Sequence, residues 1–289
     1  MCLMGDDFIN VKGGRVWFRA AGKERKKTPL LVLHGGPGGS WDYLQPLEAL
    51  ADERPVIFYD QLGCGNSDRP SDKSLWTLAR YVDELETIVR ELGLSSFYLL
   101  GNSWGCMLGI EYMLEKRPKE PASLIFSAPC LSAGRWHEDQ RRYIAALPEK
   151  ERMIIEKAEA QSSFGPEYEQ AMMVFYKRHL CRLDPWPEVL NRTFAKLNRD
   201  IYLHMWGPSE FTITGALKGF ERAQRLAEVK IPALFTCGRY DEASPETVEY
   251  YRGMMPGSRI RIFEGCSHSH HLEDTRGYIE AVRNFLPEK

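Results

Sequence analysis

A serine between two glycines is the residue of this sequence best placed to act as a nucleophile. The pentapeptide G-N-S-W-G, with Ser103 at its centre, follows a compact apolar run and precedes a helical segment. A G-x-S-x-G pattern between a strand and a helix forms a strained turn that holds the serine hydroxyl above the sheet. Glycine is needed on both sides because a β-carbon there would collide with neighbouring backbone. The pattern predicts that Ser103 attacks a carbonyl carbon.

A glycine-rich loop supplies a candidate for binding the oxyanion that such an attack creates. The segment H-G-G-P-G directly follows the apolar run Leu30–Leu33. We expect the N–H of Gly36 to be one donor, and the N–H of Trp104, at the start of the next helix, to be the second. Gly35 is expected to line the substrate site, and His34 to hold the loop.

The acid and the base should follow the nucleophile in chain order, as this type of elbow requires. Asp241 comes after the run A-L-F-T-C-G, and His268 after R-I-R-I-F. Both would lie at carboxyl ends of strands, where open α/β sheets bind ligands. His270 and His271 stay open as alternatives, but His268 is the first of the three after its strand. The remaining candidates, which fall in a segment without strand signals, are Asp139, Asp184, Asp200, His137, His179 and His204.

These assignments define a reaction. His268 takes the proton of Ser103, the alkoxide attacks a carbonyl, and the tetrahedral anion rests on two backbone amides. Water then hydrolyses the acyl-enzyme. No metal or cofactor is expected.

The elements that must position these residues alternate between strands and helices. Glycines at 13 and 14 separate two alternating runs, Phe8–Val11 and Arg15–Ala20, which predict a hairpin. Leucine and valine recur at helical spacing in Ser74–Leu92, which predicts an amphipathic helix ended by Gly93. Buried strands are predicted at the four apolar runs Leu30–Leu33, Val56–Tyr59, Phe97–Leu100 and Leu124–Phe126, and strand signals return at Ala233–Cys237 and Arg259–Phe263. The alternation favours a mostly parallel sheet with helices on both faces.

One long segment interrupts this alternation. From about 131 to 226 the chain shows helical spacing and no compact strand-like run. We therefore predict a core formed by 1–130 and 227–289, with 131–226 inserted as a helical cap, and a last helix at Thr275–Leu286.

Composition excludes several classes of protein. The chain has 289 residues, with 38 basic and 40 acidic residues and a net charge of −2, so no basic field for nucleic acid is expected. The seven cysteines form no C-x-x-C pair, which favours reduced thiols. The start M-C-L-M-G-D-D-F lacks a secretory pattern, and no long apolar run predicts a membrane span. We expect a soluble, cytoplasmic protein; its oligomeric state is left open.

The motifs H-G-G-P-G-G-S, Y-D-Q-L-G-C-G-N-S, G-N-S-W-G, G-R-Y-D-E and C-S-H together resemble the proline iminopeptidase family. The resemblance implies an α/β-hydrolase fold with a helical cap and a serine aminopeptidase that releases N-terminal residues, often but not always proline. It also implies that acidic residues hold the substrate amine, here Glu242 after the acid and Glu210 in the stretch E-F-T-I-T-G. Asn102 and the pair Cys106-Met107 depart from the prolyl-specific pattern, so the preferred first residue stays open.

Electrostatics makes this role for the two glutamates reasonable. An ammonium about 4 Å from a carboxylate gains roughly 4 kcal/mol at an effective dielectric of 20. We therefore expect a small peptide or amino-acid amide as substrate. Trp206 and Phe211 either wall the pocket or belong to the core. The alternatives are a carboxylesterase or lactonase with the same triad, and a non-catalytic ligand sensor on the same fold.

Overall fold

A computed structural model describes residues 6–22 and 26–287, and within them eight strands form one sheet. The start M-C-L-M-G, on which the expectation of no leader rests, lies outside the described residues. The order of the strands across the sheet is β1-β2-β4-β3-β5-β6-β7-β8. The strands are β1 Asp6–Val11, β2 Gly14–Ala21, β3 Leu30–Leu33, β4 Val56–Tyr59, β5 Phe97–Asn102, β6 Pro121–Ser127, β7 Ala233–Gly238 and β8 Arg259–Phe263.

Only the hairpin end of the described sheet is antiparallel. β1 pairs with β2 and β2 with β4 in antiparallel fashion, whereas all pairs from β4 through β8 are parallel. Every residue of β3, β4, β5 and β7 is buried, which explains why these strands read as continuous apolar runs. Parallel pairing brings the carboxyl ends of β3, β5, β7 and β8 to one edge.

Ten α-helices lie in the described part of the chain, together with three 3-10 segments at Trp41–Asp52, Lys73–Leu75 and Ala223–Glu228. The α-helices are α1 Leu78–Glu91, α2 Trp104–Glu115, α3 Ala133–Ala145, α4 Glu149–Gln161, α5 Pro166–His179, α6 Glu188–Lys196, α7 Arg199–Met205, α8 Pro245–Met254, α9 His270–Glu273 and α10 Thr275–Phe285. None of the described helices is long and apolar enough to cross a membrane.

Helix α1 begins four residues later than the sequence predicts. The Asp72 side chain caps a short 3-10 turn, and Trp76 leaves the helical region with φ −94° and ψ 60°. Thr77 then caps the α-helix by accepting a hydrogen bond from the N–H of Arg80 at 3.3 Å. At the other end, Gly93 adopts φ 63°, the left-handed conformation that ends a helix.

Helices α3–α7, here called the cap helices, stand between β6 and β7. The chain enters and leaves this segment at one place, since the N–H of Ala133 donates to the carbonyl of Phe220 at 2.8 Å and that of Arg222 to Leu131 at 2.9 Å. The segment has an apolar cluster of its own, in which Phe211 packs against α5. The boundary of the cap at 131–226 stays a prediction.

Candidate active site

The turn after β5 holds Ser103 in a conformation that side chains rarely adopt. Its backbone angles are φ 54° and ψ −119°, and α2 begins at the next residue. The Ser103 N–H donates to the carbonyl of Ser127 on the adjacent strand β6 at 2.9 Å. Strain of this kind costs about 1–3 kcal/mol and persists where the surrounding structure imposes it. Ser103 is 8% exposed and lines the cavities described below.

The two glycines of the turn allow a close approach of backbone. A β-carbon on Gly101 would lie 2.4 Å from the carbonyl oxygen of Gly105. One on Gly105 would lie 2.3 Å from the carbonyl oxygen of Leu33, at the end of β3. Both positions therefore exclude any larger residue, as the sequence pattern predicts.

The loop after β3 passes beside the serine. Gly36 has φ 121°, and a β-carbon on it would lie 2.6 Å from the N–H nitrogen of Gly39. The N–H of Gly35 is already used, because it donates to the Tyr43 hydroxyl at 2.7 Å. Gly35 therefore lines the site and shapes it, while Gly36 and Trp104 both lie against a small cavity that Ser103 also lines.

His34 holds this loop in place. Its Nε2 accepts the N–H of Gln61 at 3.0 Å, so the ring proton is on Nδ1, which lies 2.8 Å from the carbonyl of Gly35. Burial lowers the pKa of His34 to about 4, so the ring is neutral. The Gln61 side chain in turn accepts the indole N–H of Trp104 at 2.8 Å. These bonds connect the loop after β3 to the start of α2.

Asp241 and His268 meet at the carboxyl edge of the sheet. Asp241 follows β7, is fully buried, and lies 2.8 Å through Oδ1 from His268 Nδ1. Its carboxylate also accepts the N–H groups of Gly238 at 3.1 Å and Ala243 at 2.9 Å. These bonds hold the carboxylate in the orientation that fixes the histidine ring, and His268 lines the same large cavity as Ser103.

The other two histidines of S-H-S-H-H face away from this cavity. His270 Nε2 lies 3.0 Å from Thr236 Oγ1, and His271 Nε2 lies 3.2 Å from the carbonyl of Tyr43. Burial lowers the pKa of His270 to about 4 and that of His271 well below the ordinary value. The geometry therefore favours His268 among the three.

The cap helices contact the loop that carries His268. The N–H of His268 donates to the carbonyl of His179 at 2.9 Å, and that of Ser269 to Leu180 at 2.8 Å. His179 Nδ1 also lies 2.9 Å from the carbonyl of Tyr240, beside the acid. The Trp136 ring of α3 packs edge-on against His268, with centroids 5.7 Å apart. Contacts from the cap helices therefore help to fix the position of His268.

Two further carboxylates lie near this histidine. Glu242 is fully buried, its Oε2 lies 3.7 Å from His268 Nδ1, and neither of its carboxylate oxygens has a hydrogen-bond partner. Glu210, from the loop after α7, accepts the hydroxyl of Tyr202 at 2.7 Å and lines both cavities. Glu242 lines neither cavity and lies behind the imidazole.

Charge in this cluster displaces several pKa values. Burial opposes the charged form of His268, but Asp241, Glu242 and Glu210 outweigh it and raise its pKa to about 9. Burial raises the pKa of Glu210, and burial together with the charges of Glu210 and Asp241 raises that of Glu242 well above its ordinary value. A cation placed between the glutamates would relieve this repulsion.

Two cavities meet at Ser103. The larger has a volume of about 740 Å³ and reaches from the serine and His268 to the cap helices. The smaller, about 10 Å³, lies beyond the oxyanion loop between Trp136 and Trp206. Trp206 is therefore a wall of the site, whereas Phe211 belongs to the apolar interior of the cap.

Sequence reasoning missed two tyrosines. Tyr43 donates its hydroxyl proton to Asn102 at 2.6 Å and accepts the N–H of Gly35, so it connects the elbow to the neighbouring loop. Tyr202 orients Glu210. Neither tyrosine stands in a recognisable motif, because each reaches its partner through folding. In the part of the chain that the structure describes, no three His, Cys, Asp or Glu side chains are grouped to hold a metal ion.

The sheet, the elbow and the order of acid and base are those of an α/β hydrolase, and the model of the α/β hydrolase fold family matches residues 28–275. A proline iminopeptidase of Heyndrickxia coagulans is 45% identical over 97% of this chain and 98% of its own length. One of Lactobacillus crispatus is 38% identical over 96% of both chains. The crystal structure of proline iminopeptidase from Mycobacterium smegmatis is 34% identical, covers 97% of each chain and superposes with a TM-score of 0.89.

The chain therefore belongs to the proline iminopeptidase family of α/β hydrolases. The fold class, the family and the enzyme class predicted from the sequence are confirmed. The roles of individual site residues stay predictions.

Proposed function

We propose that this enzyme is a serine aminopeptidase or amidase that releases one N-terminal residue, proline or another apolar residue, from short peptides or amino-acid amides. Ser103 is the nucleophile, His268 the general base and acid, and Asp241 the residue that orients the base. The N–H groups of Gly36 and Trp104 bind the oxyanion. Glu210, which lines both cavities, binds the substrate ammonium, and Glu242, which lines neither, attracts it electrostatically from behind the imidazole. The names of the relatives support the same reaction.

The unpartnered carboxylate of Glu242 is the observation that carries this proposal. A fully buried carboxylate without a hydrogen bond is costly. Here it stands beside Asp241 and interacts with Glu210, so three acidic groups surround one histidine. A neutral ester has no charge that could pair with these carboxylates. A substrate with a free amine supplies the cation that the site is built to accept.

The reaction proceeds in two halves. His268 removes the proton from Ser103, and the alkoxide oxygen forms a bond to the carbonyl carbon of the N-terminal residue. The imidazolium then gives this proton to the leaving nitrogen, and the C–N bond breaks. In the second half His268 takes a proton from water, whose oxygen attacks the acyl carbon, and the Ser103–carbon bond breaks as the proton returns to the serine.

The substrate ammonium also prepares the base. Asp241, Glu242 and Glu210 outweigh the effect of burial and raise the pKa of His268 to about 9, which favours the protonated ring and opposes its action as a base. A bound ammonium offsets the charge of Glu210 and Glu242, which lowers the pKa of the imidazole. Amines therefore gain in turnover as well as in binding.

The test is turnover of a matched panel by the purified protein. The panel contains Pro- and Ala-p-nitroanilide, their N-acetyl forms, and p-nitrophenyl acetate. We expect cleavage of the free-amine anilides at rates at least 100-fold above the N-acetyl forms, since charged pairs of this kind contribute about 2–5 kcal/mol.

Other outcomes would identify the alternatives. Equal cleavage of free and acetylated anilides would reject the amine site. Hydrolysis of the acetate ester alone would indicate a carboxylesterase or lactonase. No turnover of any compound, with binding detected by calorimetry, would indicate a sensor.

A further inference from the structure

The space around Ser103 is strongly asymmetric. The cavity beyond Gly36 and Trp104 has a volume of about 10 Å³, roughly that of one water molecule. The cavity on the other side measures about 740 Å³, within the range of roughly 300–1,000 Å³ typical of pockets for drug-sized ligands. A single N-terminal residue anchored at Glu210 occupies only a fraction of that volume.

The position of the base shows which part of the substrate uses the larger cavity. The leaving nitrogen receives its proton from His268, so the leaving group must lie on the side of this imidazole. His268 and Ser269 line the large cavity, and the small cavity is lined by neither. The leaving group therefore extends into the large cavity.

The wall of that cavity towards the cap is mainly apolar. Side chains from α5, α6, α7 and the adjoining loops supply it, among them Met172, Met173, Trp186, Phe194, Leu197 and Leu203. Phe164 is 36% exposed, Phe194 37% and Leu203 51%, so the apolar surface continues to the mouth. Exposed apolar side chains grouped at a cavity mouth are typical of sites that bind apolar ligands.

We infer that the preferred substrates carry a long, uncharged, apolar group on the leaving nitrogen, namely aminoacyl amides of long-chain amines or peptides with apolar residues after the first. This inference rests on the proposed function and names the substrate class on its leaving side. Apart from Glu210 and His268, the charged residues that line the large cavity in the described part of the chain are Glu169 and Arg199, which pair with each other, with Oε1 and Nη1 4.0 Å apart. A free carboxylate directly after the first residue would be buried against apolar side chains, which is costly.

The test is a series of alanine N-alkylamides from ethyl to octyl, assayed with the wild-type enzyme. Each methylene that enters the cavity contributes the burial of one CH₂ group, so kcat/KM should rise by about three- to four-fold per carbon. Alanyl-leucinamide should likewise be cleaved at least ten-fold more efficiently than alanyl-leucine. A flat series would overturn the inference, while cleavage of the short amides in that series would leave the proposed function intact.

A matched pair of variants locates the effect. Leu203→Asp places a charge at the mouth of the cavity, and Met153→Asp places one at a cap residue of similar exposure, 58%, that lines neither cavity. Leu203→Asp should lower kcat/KM for the octylamide at least ten-fold and change that for the ethylamide less than two-fold. Met153→Asp should change neither value. Equal losses on both amides, or equal effects of both variants, would reject the cavity as the binding site of the leaving group. Failure to cleave any free-amine amide would instead reject the proposed function itself.

Discussion

The core and the cap helices contribute to the site in different ways. Ser103, Asp241 and His268 stand at the carboxyl ends of β5, β7 and β8, and short backbone hydrogen bonds hold the first two. From the cap side come Glu210, on a loop, and apolar side chains spread over three helices. The core fixes reacting groups through regular backbone geometry, whereas the cap surrounds the substrate with a variable surface.

This difference assigns chemistry to the core and selection to the cap. Strand ends are rigid and can hold a proton-transfer distance, while the side chains of the cap that line the cavity can change without altering the backbone that carries the triad. Glu242 belongs to the core by position, directly after Asp241, but interacts electrostatically with Glu210 of the cap. The proposed amine site thus spans the boundary. Variants on either side should separate kcat effects from KM effects.

The largest effect is expected from Ser103→Ala. Loss of the nucleophile removes the acyl-enzyme route and should lower kcat by about 10⁶-fold for every substrate, esters included. Rapid turnover assays and active-site titration measure this, with Ser163→Ala, an exposed serine of the cap, as control. An unchanged melting temperature shows that the fold is intact, and substantial residual turnover would contradict the assignment.

Asp241→Asn should lower kcat by about 10⁴-fold, because an amide cannot stabilise the imidazolium and favours the wrong tautomer of His268. KM should change little. The control is Asp200→Asn, which alters an exposed aspartate at the start of α7 that competed with Asp241 in the sequence. A comparable loss of kcat in the Asp200 variant would contradict the assignment of catalysis to the core and of substrate selection to the cap.

Glu210→Gln tests the cap contribution. Loss of one anchoring charge should raise KM for Ala-p-nitroanilide about 100-fold, and leave kcat/KM for p-nitrophenyl acetate within a few-fold. Glu169→Gln, which changes a glutamate that lines the same cavity and pairs with Arg199, is the matched control. Equal losses on amine and ester substrates would assign Glu210 a structural role instead.

The smallest effect is a displacement of the pH profile. The ester carries no ammonium, so its kcat/KM should rise with pH to a midpoint near the His268 pKa of about 9. Glu242→Gln removes one of the negative charges that raise this pKa, so the midpoint should move to lower pH. For the wild type, the midpoint of kcat with Ala-p-nitroanilide should also lie below that of the ester. The three pH midpoints compared are those of the wild type with the ester, of Glu242→Gln with the ester, and of the wild type with Ala-p-nitroanilide. If they coincide, Glu242 does not affect the pKa of His268.

Much of the core follows from local sequence. Four apolar runs and two later strand signals predicted strands in the observed order, since strands buried on both faces are apolar throughout, whereas β8 alternates in sequence and only Phe263 in it is buried. The glycines of the elbow were predictable for a similar reason, since each position admits no β-carbon. The start of α1 was predicted wrongly, because apolar spacing continues through a 3-10 turn that Asp72 caps.

The sequence predicted the site less well where contacts between distant parts of the chain determine which residues come together. His268 differs from His270 and His271 because it hydrogen-bonds to Asp241 at 2.8 Å and lines the cavity, whereas His270 Nδ1 lies 3.7 Å from Asp241 Oδ2. The contact between His268 and Asp241 joins two loops 27 residues apart. Tyr43 and Tyr202 carry no local signal at all. The sizes of the two cavities depend on how the cap helices pack over the sheet. The hydrophobic periodicity of the sequence does not predict this packing.

His179 connects the position of the cap helix α5 to the positions of the acid and the base. One residue at the end of α5 touches the loop of the acid through Tyr240 and the loop of the base through His268. A movement of α5 away from the sheet would release both loops together, so an open cap and an aligned triad exclude each other. A compound that wedged beneath α5 would therefore disturb the acid and the base together, in addition to obstructing the cavity that α5 lines.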